Sequence, residues 1–171
     1  GDHVKAIEYL QKALYSDVVT FGPKHPNVAI RWNNLGAVWN AMGKHKKSIC
    51  FCNKALKSSR LTFGPKHHSQ ASTLNNLGLA YRSLRDFDNA LLCMQEAVEI
   101  AITFVGNYHS EVATGWQNIG LVWCDRGDFI KAIGYFEKAK NIFMQAQLLL
   151  LVDDTSRLIL EAKAALGQGH I

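Results

Sequence analysis

Apolar residues recur three and four positions apart along almost the whole chain, the spacing of one face of an α-helix. Ala29, Trp32, Leu35, Gly36 and Trp39 form one stripe, and Ser48, Cys52, Ala55 and Leu56 form the next. Residues of similar size follow at Ala71, Leu74, Leu77, Gly78 and Tyr81, then at Ala90, Met94 and Ala97. A third set comprises Ala113, Trp116, Ile119, Gly120 and Trp123, then Ala132, Phe136 and Ala139. No period-two alternation competes, so the pattern predicts an all-α chain of about eight helices. Gly22 and Gly64 suit a left-handed residue just past a helix end, and Pro23 and Pro65 follow where a helix cannot continue. Pro26 fits the first turn of the next helix. Gly43 and Gly127 mark the turns inside helix pairs, with Arg85 in glycine's place in the middle copy. The predicted helices are 2–20, 26–42, 45–61, 68–84, 87–104, 110–126, 129–147 and 153–166, with Asp153 and Asp154 expected to cap the last.

The stripes belong to an internal repeat. FGPKH at 21–25 returns as FGPKH at 63–67 and, loosely, as VGNYH at 105–109. WNNLG at 32–36 returns as LNNLG at 74–78 and WQNIG at 116–120, again 42 positions apart. Segments 21–62 and 63–104 are identical at 11 of 42 positions. A fixed period of this size is the signature of a solenoid. The register divides the single array into a partial unit at 1–20 (a second helix), full units at 21–62, 63–104 and 105–146, and the first helix of a further partial unit at 147–171. The ends fall mid-unit, which suggests a piece of a longer array. Gly36, Gly78 and Gly120 sit mid-helix, where glycine costs about 1 kcal/mol against alanine; close approach of two helices is the expected reason.

Composition narrows the function. Of 171 residues, 48% are hydrophobic and 19% charged, a globular balance. No uncharged apolar run approaches a membrane span of roughly 18–20 residues, and no leader pattern is visible. The expectation is a soluble, cytoplasmic protein. The net charge of +5 is uneven: residues 1–66 carry 11 Lys and Arg against 3 Asp and Glu, and residues 67–171 carry 8 against 11. Lys44, Lys46, Lys47, Lys54, Lys57 and Arg60 make a basic cluster expected on the outer face, either as a docking patch or simply solvated. Cys50, Cys52, Cys93 and Cys124 lack metal-type spacing and read as reduced thiols packed mostly as small apolar groups. His25, His67 and His109 recur with the period, as do His3 and His45, and are expected to start helices or pack rather than to bind metal. No catalytic motif or acid–base carboxylate pair is present, so an enzyme and a cofactor are not expected. Nucleic acid is an unlikely partner, because the aromatics occupy core positions.

These residues resemble the tetratricopeptide repeat, whose signature is W-x2-L-G-x2-Y on a first helix and A-x3-F-x2-A on a second. Residues 32–39, 74–81 and 116–123 match the first half; 90–97 and 132–139 match the second, and 48–55 is a weaker copy. The usual period is about 34 residues. The 42-residue form, with Gly22, His25, Pro26, Val28, Ala29, Asn33, Asn34 and Leu35 in a G-x-x-H-P-x-V-A…N-N-L run, is similar to the repeats of kinesin light chain. The resemblance implies a right-handed α-solenoid of stacked antiparallel helix pairs that binds proteins. It further implies that asparagines on the first helices hold cargo peptides.

In such a stack the groove set is Asn33, Asn34, Asn40, Ser72, Asn75, Asn76, Leu79, Arg82, Gln117, Asn118 and Leu121. Asn33, Asn75 and Gln117 form one ladder of amides, and Asn34, Asn76 and Asn118 a second. An amide both donates and accepts, so it can bind the backbone of an extended peptide of any sequence. The alternative is that these amides bridge adjacent helices. The family's groove adds Lys or Arg near the start of the first helix; Ile30, Ser72 and Thr114 stand there, and Arg82 is the one cation in the set. Leu79 and Leu121 offer apolar anchoring instead. The favoured reading is an adaptor that holds a partner's peptide segment. The rival is a structural scaffold that self-associates through exposed repeat ends and Leu148–Leu151.

Overall fold

A computed structural model describes residues 2–168. Positions 1 and 169–171 of the two predicted partial units lie outside the described residues. Eight helices follow in order: α1 (His3–Phe21), α2 (Pro26–Ala41), α3 (His45–Phe63), α4 (Ser69–Ser83), α5 (Phe87–Val105), α6 (Ser110–Arg126), α7 (Phe129–Gln145) and α8 (Leu149–Gln168). There is no strand among the described residues. The chain forms two compact units. Gly1–Cys93 holds α1 to α4 and the start of α5; Met94–Ile171 holds the rest of α5 and α6 to α8.

In the first unit α2 packs on α1 and α3, α3 on α4, and α2 also reaches α4. The predicted stripes supply this core: Ala29, Leu35, Gly36, Ser48, Cys52, Ala55, Leu56, Ala71, Leu74, Leu77 and Gly78 are buried. Trp32, Trp39 and Tyr81 are only half-buried. Val28 and Gln70, outside the predicted stripes, are fully buried beside the links that precede their helices. Arg31 reaches back to α1, where its Nε pairs with Asp17 at 2.9 Å.

In the second unit α7 packs against both α6 and α8. Ala132, Phe136, Ile159 and Ala162 form one of its buried clusters, flanked by Leu121, Trp123, Phe129, Ile133 and Leu158. Contact explains the mid-helix glycines Gly36 and Gly120. A Cβ on Gly36 would collide with Cys52 Sγ and lie 3.4 Å from the Ser48 carbonyl oxygen. A Cβ on Gly120 would stand 2.5 Å from the Phe136 ring and 3.2 Å from the Ala132 carbonyl oxygen. Of the cysteines, Cys52 is buried, Cys93 and Cys124 are half-buried and Cys50 is exposed, so Cys50 does not pack as a small apolar group.

Two kinds of connection join the helices. The long link opens on Gly22, Gly64 or Gly106, each near φ +85°, and closes on His25 or His109, or in the middle copy on His68 one residue past the periodic His67. Nδ1 of His25, His67 and His109 accepts a hydrogen bond from the N–H of Asn27, Ser69 and Glu111 at 3.2, 3.3 and 3.2 Å. The histidines therefore start helices, as their spacing suggested. Phe21 stacks on His25 at 4.5 Å and Phe63 on His67 at 4.2 Å. The short turn ends a helix on a left-handed residue, Gly43, Arg85 or Gly127, whose successor's N–H donates to the carbonyl five residues back: Lys44 to Trp39, Asp86 to Tyr81 and Asp128 to Trp123.

The α7–α8 connection departs from the prediction. It is a short turn, not a long link: Gln147 is left-handed at φ 56°, and Leu148 N–H donates to Phe143 at 3.0 Å. Helix α8 consequently begins at Leu149 instead of 153. Asp153 and Asp154 do not cap it; they lie a turn inside. Leu148 fills the capping position, its carbonyl accepting from Leu151 and Val152.

Candidate functional site

In the first unit a cleft of about 550 Å³ opens between α2 and α4, above α3. Its α2 wall carries Ile30, Asn33 and Asn34; its α4 wall carries Ser69, Ser72 and Thr73; its floor is Ala29, Ala55 and Ser59, with Phe63 and His67 at one end. Three of the predicted groove residues, Asn33, Asn34 and Ser72, therefore share one cavity. Helical spacing puts them there: positions 30, 33 and 34 form one face of α2, opposite the packed face.

The two amides on α2 differ. Asn33 is committed to α4: its Nδ2 donates to Ser72 Oγ at 3.5 Å, and its Oδ1 accepts from Asn76 Nδ2 at 3.0 Å. This is the inter-helix bridge. The Asn34 amide has no protein partner among the described residues and lines the cleft. The hydroxyls below are tied together, with Ser59 and Ser69 2.9 Å apart and His67 Nδ1 2.9 Å from Ser69. The lining holds no carboxylate, lysine or arginine. It is a neutral, amide- and hydroxyl-rich wall on an apolar floor.

The other predicted residues are placed as follows. Asn40 lies at the α2–α3 turn, its Oδ1 2.7 Å from His45 Nδ1, away from the cleft lining. Asn75, Leu79 and Arg82 are half-buried on α4, and none lines the cleft. In the second unit Gln117 Nε2 donates to Thr155 Oγ1 on α8 at 3.2 Å, so this amide also bridges helices. Thr155 is fully buried and donates onward to the Leu151 carbonyl at 2.6 Å. Asn118 and Leu121 are half-buried on α6, Leu121 against the α7–α8 core. Sequence reasoning missed Ser59, Ser69, Thr73 and Thr155. Spaced hydroxyls on neighbouring helices were the available signal.

The tetratricopeptide-repeat family model matches residues 1–57 and 32–103. The chain belongs to the tetratricopeptide-repeat family. No curated protein matches it. Among solved structures it is similar to BtubC (BKLC) from P. vanneervenii, at 21% identity and TM-score 0.78, over 98% of this chain and 72% of that one. It is also similar to the nearly identical TPR-like repeats of a Podosopora anserina protein assigned as a kinesin light chain. That match has 16% identity and TM-score 0.81, over 98% of this chain and 81% of that one. A point variant of the same repeats matches at 17% identity and TM-score 0.80. The fold is thus that of TPR-like solenoids, of the kinesin-light-chain type. The family is a protein-interaction or scaffold module rather than an enzyme fold, and implies protein partners. Among the described residues no helix is long and apolar enough to cross a membrane.

Proposed function

We propose that the chain is an adaptor module that holds an extended segment of a partner protein in the α2–α4 cleft, through hydrogen bonds to the peptide backbone. The observation that carries this reading is the unpartnered Asn34 amide on the wall of a 550 Å³ cleft. The amide is open to the cleft, and a peptide bond offers it both an acceptor and a donor. The neutral lining favours uncharged polar or apolar segments over acidic ones. Within the predicted groove set, Asn34 and Ser72 serve as contacts, and Asn33 and Asn76 hold the two walls in register. Asn40 belongs to the α2–α3 turn, and in the second unit Gln117 ties α6 to α8.

The test is selection of neutral peptides from a displayed library on the whole chain, followed by affinity measurement on Asn34→Leu and Asn76→Leu. Loss of binding by at least tenfold in folded Asn34→Leu supports the reading; undiminished binding refutes it.

A second reading, a self-associating scaffold, is favoured by the exposed run at the start of α8. Leu149 is 71% exposed and Leu150 82%. Concentration-dependent sedimentation abolished by Leu149→Gln/Leu150→Gln would establish it.

A further inference from the structure

A second, smaller cavity of about 180 Å³ lies in the first unit and shares no residue with the α2–α4 cleft. Trp32 of α2, Pro23 of the long link and Leu61 of α3 give it an apolar lining. Lys24, Lys54 and Lys57 stand around it. Ser58 completes the wall; it is only 8% exposed, and its hydroxyl is buried with no hydrogen-bond partner. The Thr62 hydroxyl holds the link to α3, its one proton shared between the Lys24 carbonyl at 3.2 Å and the Ser58 carbonyl at 3.0 Å.

The sister repeats do not build this site. One period on, Lys54, Lys57 and Ser58 become Glu96, Glu99 and Ile100, and Trp32 becomes Leu74. Two periods on, Lys24, Lys57 and Ser58 become Tyr108, Asn141 and Ile142. There Trp116 is covered: it stacks on Tyr135 at 5.6 Å, and Lys138 Nζ stands 5.2 Å from its ring centre. In the first unit Lys54 Nζ lies instead over Phe51, at 5.3 Å. The buried serine, the lysines and the open indole therefore occur together once, and repeat packing does not require them.

We propose that this cavity is a second docking site, for an acidic peptide segment of a partner protein that inserts one aliphatic side chain against Trp32. The cavity is smaller than the roughly 300–1,000 Å³ of a drug-sized ligand site, which fits a single side chain. Three ammonium groups select carboxylates on either side of the anchor and raise the encounter rate. The site is independent of the neutral cleft, and the two are separable by mutation.

The probe is a fluorescein-labelled Glu-Asp-Glu-Leu-Glu-Asp-Glu peptide, with a Leu→Gly version as control, titrated by anisotropy into the whole chain. The Leu peptide should bind at least tenfold tighter than the Gly peptide. Lys54→Glu/Lys57→Glu, Ser58→Ile and Trp32→Leu, each copying a sister repeat, should each weaken it at least tenfold with an unchanged circular dichroism spectrum. Asn34→Leu should leave it unchanged. Equal binding of the two peptides, no binding at all, or insensitivity to Lys54→Glu/Lys57→Glu would overturn the proposal. Tighter binding of labelled polyuridylate than of the Leu peptide would also overturn it, making the patch a polyanion surface.

Discussion

The helix pairs α2–α3 and α6–α7 are two solutions of one packing problem, in different units of the chain. Both bring a mid-helix glycine against the second helix, but what fills the contact differs. At Gly36 the partner is Cys52, small and soft; at Gly120 it is Phe136, large and rigid. Aromatic contacts differ too: Trp32 borders an open cavity, whereas Trp116 stacks on Tyr135 with Lys138 beside its ring. The second unit thus invests its large side chains in the core. The fully buried side chains of the first unit are no larger than leucine, and its α2–α4 cleft is lined largely by amides and hydroxyls.

Replacing those partners should give the largest contrast. Phe136→Ala should cost about 3–5 kcal/mol, the usual range for a buried phenylalanine. Cys52→Ala should cost about 1 kcal/mol, close to the worth of one buried methylene-sized group. Urea unfolding followed by far-ultraviolet circular dichroism reads both. Next come the glycines. Gly120→Ala should cost about 1–3 kcal/mol, as overpacking against a ring does. Both changes regain about 1 kcal/mol of helix propensity, but Gly36→Ala should cost less, because it meets the single Cys52 Sγ and not an aromatic ring. Adding Cys52→Ala should remove its penalty, and a double variant no more stable than Gly36→Ala would contradict the contact.

The connections offer a smaller contrast. His25→Ala removes a capping acceptor and should cost about 1 kcal/mol. Leu148→Asp should supply the cap that α8 lacks and stabilise the chain by about 0.5–1 kcal/mol in thermal unfolding.

Acid and alkali also separate the two pairs. Burial raises the Cys52 thiol to about 11 from an ordinary 9.0. The folded chain then holds that proton more tightly than the unfolded chain. Its contribution is intact below pH 9 and is lost as the pH climbs towards 11. Comparing Cys52→Ala with the parent across that window isolates the loss. Conversely, hydrogen bonds from the Lys131 side chain and N–H hold the Asp128 carboxyl below its usual range. That support is present above about pH 4 and is lost as the pH falls further. Asp128→Asn should flatten the acid limb.

The fold was legible because a 42-residue period, carried by FGPKH and NNLG, sets the register of every helix pair. The α7–α8 turn was not, since Gln147 in a left-handed conformation has no glycine to announce it, and the Asp pair at 153–154 looked like a cap. The groove was legible only as a face. Asn33 and Asn34 differ by about 100° around α2, yet either could turn inward, and sequence could not say which amide Ser72 and Asn76 would claim. Ser58 gave no signal, because a serine on a helix reads as solvated until its surroundings are known.

The most direct test is a ¹⁵N–¹H spectrum of the side-chain amides while a cleft-selected neutral peptide is titrated into the whole chain. The Asn34 resonances should move most and saturate with the peptide, with the Asn33 and Asn76 resonances moving less. Saturation of binding with the Asn34 resonances unmoved would contradict the account.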